Sequence, residues 1–105
     1  MNRLNELIDL CTQWSSDRGI FVNGTVATQA LKLVSEVGEL ADNVAKRRDI
    51  ADDIGDCLVV LNNLAIMNEL TLEECLEVAY VDIKDRKGYL NGAGVFIKDS
   101  DRELP

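Results

Sequence analysis

The chain contains no histidine. That removes every Ser-His and Cys-His nucleophile pair, and with them acyl transfer of the usual sort, so acid/base work falls to carboxylates or to metal-bound water. Cysteine is scarce and unpaired. Cys11, Cys57 and Cys75 are odd in number and widely spaced, and no histidine is present to complete a zinc site. They read as small buried hydrophobes in a reducing compartment. Positive charge is also short: 11 bases stand against 19 acids, for a net −8, which argues against a nucleic-acid-binding surface. No apolar run is long enough to span a bilayer, and Met1-Asn2-Arg3-Leu4 leads straight into an amphipathic pattern with no signal-peptide core. A cytoplasmic protein with no membrane and no nucleic-acid partner is the expectation. No linker or low-complexity stretch divides the 105 residues, which predict a single domain over 1–105.

What is present is helical periodicity. Leu4, Leu7, Ile8, Cys11 and Trp14 recur at helical spacing and predict a first helix over about 2–14. Gly19 and Asn23-Gly24 break the pattern. Thr25 then caps a second helix over about 25–46, with Leu33, Val37, Leu40 and Val44 as its apolar stripe. A third helix spans about 49–68, and its second half, Cys57 to Leu61 and Leu64 to Met67, is apolar nearly all round. A bundle of this size has too few partners to cover such a helix, so at least a homodimer is expected. Thr71 and Glu74 form a capping-box signal for a fourth helix over about 72–87, with Leu72, Cys75, Leu76, Ala79 and Ile83 inward and Gly88 as a left-handed stop. The tail, 89–105, reads as irregular; its apolar run Val95-Phe96-Ile97 is either extended or folded over a neighbour.

The chemistry lies in a phrase that occurs twice. Glu36-Val37-Gly38-Glu39 and Asp53-Ile54-Gly55-Asp56 each place two carboxylates on one side of a helix, within about 6 Å, where they repel unless neutralised. Two such pairs on neighbouring helices suit a hard divalent cation, magnesium or manganese, held together with substrate phosphates. Each phrase also contains a glycine that weakens its helix by roughly 1 kcal/mol, which suggests close approach of two backbones. Gln29, Lys32, Glu36 and Glu39 fall at offsets of three, four and three, so an amide, an ammonium and two carboxylates line one face. Asp49 and Asp52 complement the helix dipole, whereas Asp56 lies beyond its reach.

These residues resemble a known family. Gln29-Ala30-Leu31-Lys32-Leu33-Val34-Ser35-Glu36-Val37-Gly38-Glu39-Leu40, followed by Asp53-Ile54-Gly55-Asp56-Cys57-Leu58, looks like the E-x-x-E and E-x-x-D motifs of MazG-type all-α nucleoside triphosphate pyrophosphohydrolases. The segments Ile83-Lys84-Asp85-Arg86-Lys87-Gly88 and Gly94-Val95-Phe96-Ile97-Lys98 resemble the small MazG-like proteins of phage and bacterial genomes, and the likeness runs from Arg18 to about Asp99. It implies an all-α, four-helix MazG-type bundle. The implied activity is magnesium-dependent hydrolysis of a nucleoside triphosphate, often a deoxynucleotide, to monophosphate and pyrophosphate. By the same resemblance Glu36, Glu39, Asp53 and Asp56 are the metal ligands and catalytic carboxylates. Two positions depart from the pattern: Asp53 stands where the family has glutamate, and Val81 where many members have asparagine. These departures motivate the alternative of a weak or inactive nucleotide- and metal-binding regulator with the same fold.

The residue chemistry agrees with hydrolysis of a phosphoanhydride, in which charge must be neutralised, pyrophosphate stabilised and a water activated. Lys84, Arg86 and Lys87 are phosphate candidates, arginine through its planar fork and lysine as a point charge, although bases in a last helical turn also complement the dipole. Lys32 is a further phosphate candidate or a local counter-charge. Gln29 and Asn23 are candidates for base or sugar contact, and Trp14 for stacking on a base, with core packing the plainer role for the indole. A homodimer or homotetramer is the expected assembly.

Overall fold

The computed structural model describes residues 2–101, which are mostly helical with one small two-stranded sheet. In chain order the elements are α1 (Arg3–Asp17), α2 (Ile20–Asn23), α3 (Val26–Ala45), α4 (Ala51–Met67), α5 (Leu72–Ile83), β1 (Gly88–Leu90) and β2 (Phe96–Lys98), closed by a 3-10 turn, Asp99–Asp101. They fall into two compact units, Met1–Leu72 and Glu73–Pro105. Part of the expected tail, 102–105, lies outside the described residues.

In the first unit, side-chain chemistry sets the helix starts. Asn2 caps α1 by accepting from the backbone N–H of Asn5 at 2.9 Å. Thr25, in extended conformation, accepts from the N–H of Thr28 at 3.1 Å while Thr28 Oγ1 accepts in return from the N–H of Thr25. This reciprocal cap is worth about 1 kcal/mol. Asp49 Oδ1 accepts from the N–H of Ala51, the first residue of α4, which has Ile50 as its N-cap and begins two residues later than the spacing predicts. α1 runs to Asp17, three residues past the expected end. Gly19 then turns the chain at φ 75°, and between the two breaks in the pattern, at Gly19 and Asn23-Gly24, the chain makes the short helix α2.

The helix ends carry a feature that the sequence conceals. After α3, Arg47 sits at φ 56°, its N–H bonding Val44 O while Arg48 N–H bonds Asn43 O; after α4, Glu69 sits at φ 60°, its N–H bonding Ile66 O while Leu70 N–H bonds Ala65 O. Both are Schellman endings with a charged residue where glycine is usual, at a penalty of roughly 1 kcal/mol each.

Helix α3 packs chiefly on α4, and α1 on α4 and α2. The interior this creates is mainly polar. Among the described residues Val60 and Ala65 are the buried apolar side chains, against buried Ser15, Glu36, Asp53, Asn62 and Asn63. In the second half of α4, expected to be apolar nearly all round, the buried positions include the amides Asn62 and Asn63 beside Val60 and Ala65, while Leu58 and Leu61 remain exposed. Nor do the predicted stripes form closed cores: Leu4, Leu7 and Trp14 on α1 and Val37 and Val44 on α3 are all exposed. The cysteines are less buried than expected, Cys11 and Cys57 half-buried and Cys75 exposed. The glycines of the twin phrases do not serve close packing either, since a Cβ at Gly38 or Gly55 would meet nothing within 4 Å. Each lies two residues, roughly 200° around the helix, from the acid that faces inward.

In the second unit α5 stops at Ile83 instead of about residue 87, and Leu76, Val78, Tyr80, Val81 and Ile83 are exposed around it. Cys75, Leu76, Ala79 and Ile83, expected to face inward, are exposed. A hairpin replaces the irregular tail, with Gly88 opposite Lys98, Tyr89 opposite Ile97 and Leu90 opposite Phe96. Gly88 is accordingly a strand residue and not a left-handed helix stop. A Cβ there would collide with Ile97 O and the Phe96 ring, so the reason for glycine is close approach of β2. Asn91 builds the turn, its Oδ1 accepting from Ala93 and Val95 N–H groups.

Candidate functional site

Two side-chain links fix the register of α3 against α4. Asn43 Nδ2 donates to Asp53 Oδ2 at 2.9 Å, and Asn63 Nδ2 donates to Gln29 Oε1 at 3.1 Å. The higher number on one helix meets the lower on the other, so the helices run antiparallel. Between these links lies the acidic row. Glu36 and Asp53 are turned into the helix pair, only 6% and 8% exposed, while Asp56 is half-buried and Glu39 exposed.

One ammonium serves this row. Lys32 Nζ meets Glu36 Oε1 at 2.9 Å, the lysine being 57% exposed and the carboxylate nearly covered. Its pKa is raised by that hydrogen bond and by the charge of Glu36, with burial opposing and Glu39 and Asp56 adding to the rise. Asp56 is pushed above the ordinary carboxylate value, first by desolvation and then by the charges of Asp52, Glu36 and Asp53, with Lys32 pulling the other way. Burial raises the Cys57 thiol, and Glu36, Asp53 and Asp56 raise it further, which keeps it protonated and inert near neutral pH. Lys32, Glu36, Asp53 and Asp56 thus feel one another as a single electrostatic group, with Glu39 joined to it through Lys32.

The second oxygen of Glu36 is buried without a hydrogen-bond partner. A buried carboxylate oxygen left unbonded costs about 1–3 kcal/mol or more, a cost that an added cation or donor would relieve. The ligand chemistry is oxygen-only and fits magnesium or manganese. Among the described residues, however, no three acidic groups are gathered closely enough to hold a metal ion as the side chains stand. The reason is local: Glu36 is turned to Lys32, and Asp53 to Asn43.

The other expected site residues divide. Gln29 joins the row through Asn63. Trp14 is half-exposed on α1, with the Arg18 guanidinium 4.2 Å from its ring centre, and it is not a core residue of this chain. Asn23 is exposed at the end of α2. Lys84, Arg86 and Lys87 lie past the end of α5 in the second unit, not in its last turn as expected. There Arg86 pairs with Asp82 at 2.7 Å, and Arg86, Lys87 and Lys98 line a shallow cleft with Asp82, Asp85 and Asp99. Acids match bases in that lining, so the cleft by itself has no positive field for an anion. Asn43 and Asn63 were missed from the sequence. Each falls seven residues from a row member on its own helix, Asn43 from Glu36 and Asn63 from Asp56, and that two-turn spacing was the available signal.

Over 72 residues, 67% of its length, the chain is 42% identical to an uncharacterized 18.2 kDa protein in the rep-hol intergenic region of Haemophilus phage HP1 (strain HP1c1). The chain spans 44% of that relative's length. No protein-family model matches the chain, and no solved structure matches it. No helix among the described residues is long and apolar enough to cross a membrane.

Proposed function

We propose that the chain is a magnesium-dependent nucleoside triphosphate pyrophosphohydrolase of the MazG-like kind, working as a homodimer or homotetramer. The observation that carries this reading is the unpartnered, buried oxygen of Glu36 inside a row of carboxylates that a single half-exposed ammonium cannot neutralise. Glu36, Glu39, Asp53 and Asp56 would hold the ion, and magnesium when bound would neutralise the triphosphate and make a water nucleophilic. Lys32 then releases Glu36 and turns its ammonium to the phosphate oxygens, a small change for a side chain already 57% exposed. Whichever of the four carboxylates is not fully engaged with the ion would orient or deprotonate the attacking water. Assembly is supported by the uncovered apolar side chains of α1 and α3, Leu31 at 70% and Val34 at 69% among them, which a second copy would bury.

Release of pyrophosphate from a nucleotide panel with magnesium tests the reading. The purified chain is expected to turn over at least one triphosphate, and Glu39→Gln to lower kcat by roughly a hundredfold or more. No release from any nucleotide, or full activity in Glu39→Gln, would reject it. One observation favours the regulator alternative: Asp53, the shorter acid of its motif, is already bonded to Asn43 and less free to ligate. Tight magnesium-dependent nucleotide binding without turnover is the result that reading requires.

A further inference from the structure

The acidic row ends against a pair of amides that hydrolysis does not use. Asn63 lies in a stretch of α4 flanked by Val60, Leu61, Leu64 and Ala65, and it is 3% exposed. An amide there is unfavourable unless both of its ends are bonded. Its Nδ2 donates to Gln29 Oε1, yet its Oδ1 is buried without a partner. The adjacent Asn62 differs, donating to Thr12 Oγ1 at 2.8 Å and so tying α4 to α1. Asn62 is therefore accounted for as structure and Asn63 is not.

Two bonded amides use one donor and one acceptor on each other. Whichever way they are turned, the pair keeps a free acceptor on one residue and a free donor on the other. A nucleobase edge presents the complement, a donor beside an acceptor, and asparagine and glutamine pair with such edges through both ends of the amide. Position agrees with this. Gln29 precedes Glu36 by seven residues on α3, and Asn63 follows Asp56 by seven on α4. Seven residues are two turns, so on both helices the amide lies about 10 Å along the axis from the acid, on the same side. That separation is comparable to the length of a nucleoside, with Lys32 between the two ends. Gln29 is only half-buried, and base binding would require it to move aside from Asn63.

We propose that the Gln29–Asn63 amide pair reads the base of the nucleotide, which makes Asn63 a specificity-determining residue; this rests on the acidic row being the phosphate end. The test is a comparison of wild type, Asn63→Leu and Gln29→Leu on ATP, GTP, CTP, UTP and their deoxy forms, by pyrophosphate release and by calorimetric binding with magnesium. Wild type is expected to prefer some bases. Each variant should lose roughly ten- to hundredfold of that preference in kcat/KM, while a deoxyribose 5-triphosphate lacking a base is handled as by wild type. Gln29→Leu, at a half-buried position, keeps the test decisive if Asn63→Leu fails to fold. Unchanged base ranking in a folded variant overturns the proposal and leaves the hydrolase reading standing, the pair being then only a tie between α3 and α4. Absence of turnover by wild type rejects the hydrolase reading, and binding selectivity still decides on the amides: binding by wild type that ignores the base overturns the proposal.

Discussion

Glu36→Gln should make the metal-free protein more stable. The substitution removes the ion pair with Lys32, whose 57% exposure lets the freed ammonium return to water, so the loss is that of a half-exposed pair, about 0.5–1 kcal/mol. Against this, it ends the burial of a charged carboxylate whose Oε2 has no partner, worth about 1–3 kcal/mol, and it lowers the repulsion on Asp56 and Asp53. The amide also fits the oxygen's space and can donate to a neighbouring acid. The net expectation is a gain of about 1–2 kcal/mol, or roughly 4–8 °C in Tm for each kcal/mol in a domain of this size. Magnesium should act in the opposite sense. At a hundred times its Kd it stabilises a native-state site by about 2.7 kcal/mol, and the variant should lose most of that. Urea and thermal unfolding at one fixed protein concentration, in chelator and then in magnesium chloride, measure both effects. A variant destabilised in chelator by more than about 1 kcal/mol would refute the argument, as would magnesium stabilising both proteins equally. Either outcome would mean that Glu36 belongs to the scaffold and not to a strained site.

Other perturbations test other parts of the account. Glu69→Gly should stabilise the protein by about 0.5–1 kcal/mol, because glycine takes the φ 60° position freely; a lower urea midpoint would contradict the Schellman assignment. Leu31→Glu and Val34→Glu should shift the protein from oligomer to monomer in sedimentation, and an unchanged oligomer would mean that α3 faces solvent in the assembly. Asn43→Ala should free Asp53 to ligate and strengthen magnesium binding by roughly five- to tenfold, the worth of about 1 kcal/mol for the one hydrogen bond no longer broken; unaltered titration with magnesium alone would take Asp53 out of the site.

The helical part of the fold was legible where local chemistry decides it. Thr25 announced α3, and the periodicity of Leu4 to Trp14 announced α1, because caps and apolar spacing act within a few residues. The end of α5 was not legible. Lys84, Arg86 and Lys87 are good helix formers, and what draws them out of the helix is pairing of Gly88 with Lys98, a contact made ten residues away. The Schellman endings at Arg47 and Glu69 gave no glycine to read.

The candidate site divides in the same way. The sequence by itself determined which carboxylates share a helix side, since 3.6 residues per turn fixes that, and it placed Gln29, Lys32, Glu36 and Glu39 in line. It could not tell Glu36 from Glu39, or Asp53 from Asp56, because members of each pair are equivalent until a neighbour arrives. Only the antiparallel packing of α3 on α4 decided that Glu36 and Asp53 turn inward, that Asn43 meets Asp53, and that Asn63 is buried against Gln29. Burial and partnership belong to two helices at once, and that is why the row's charge was readable from one strand of text while its unmet oxygen was not.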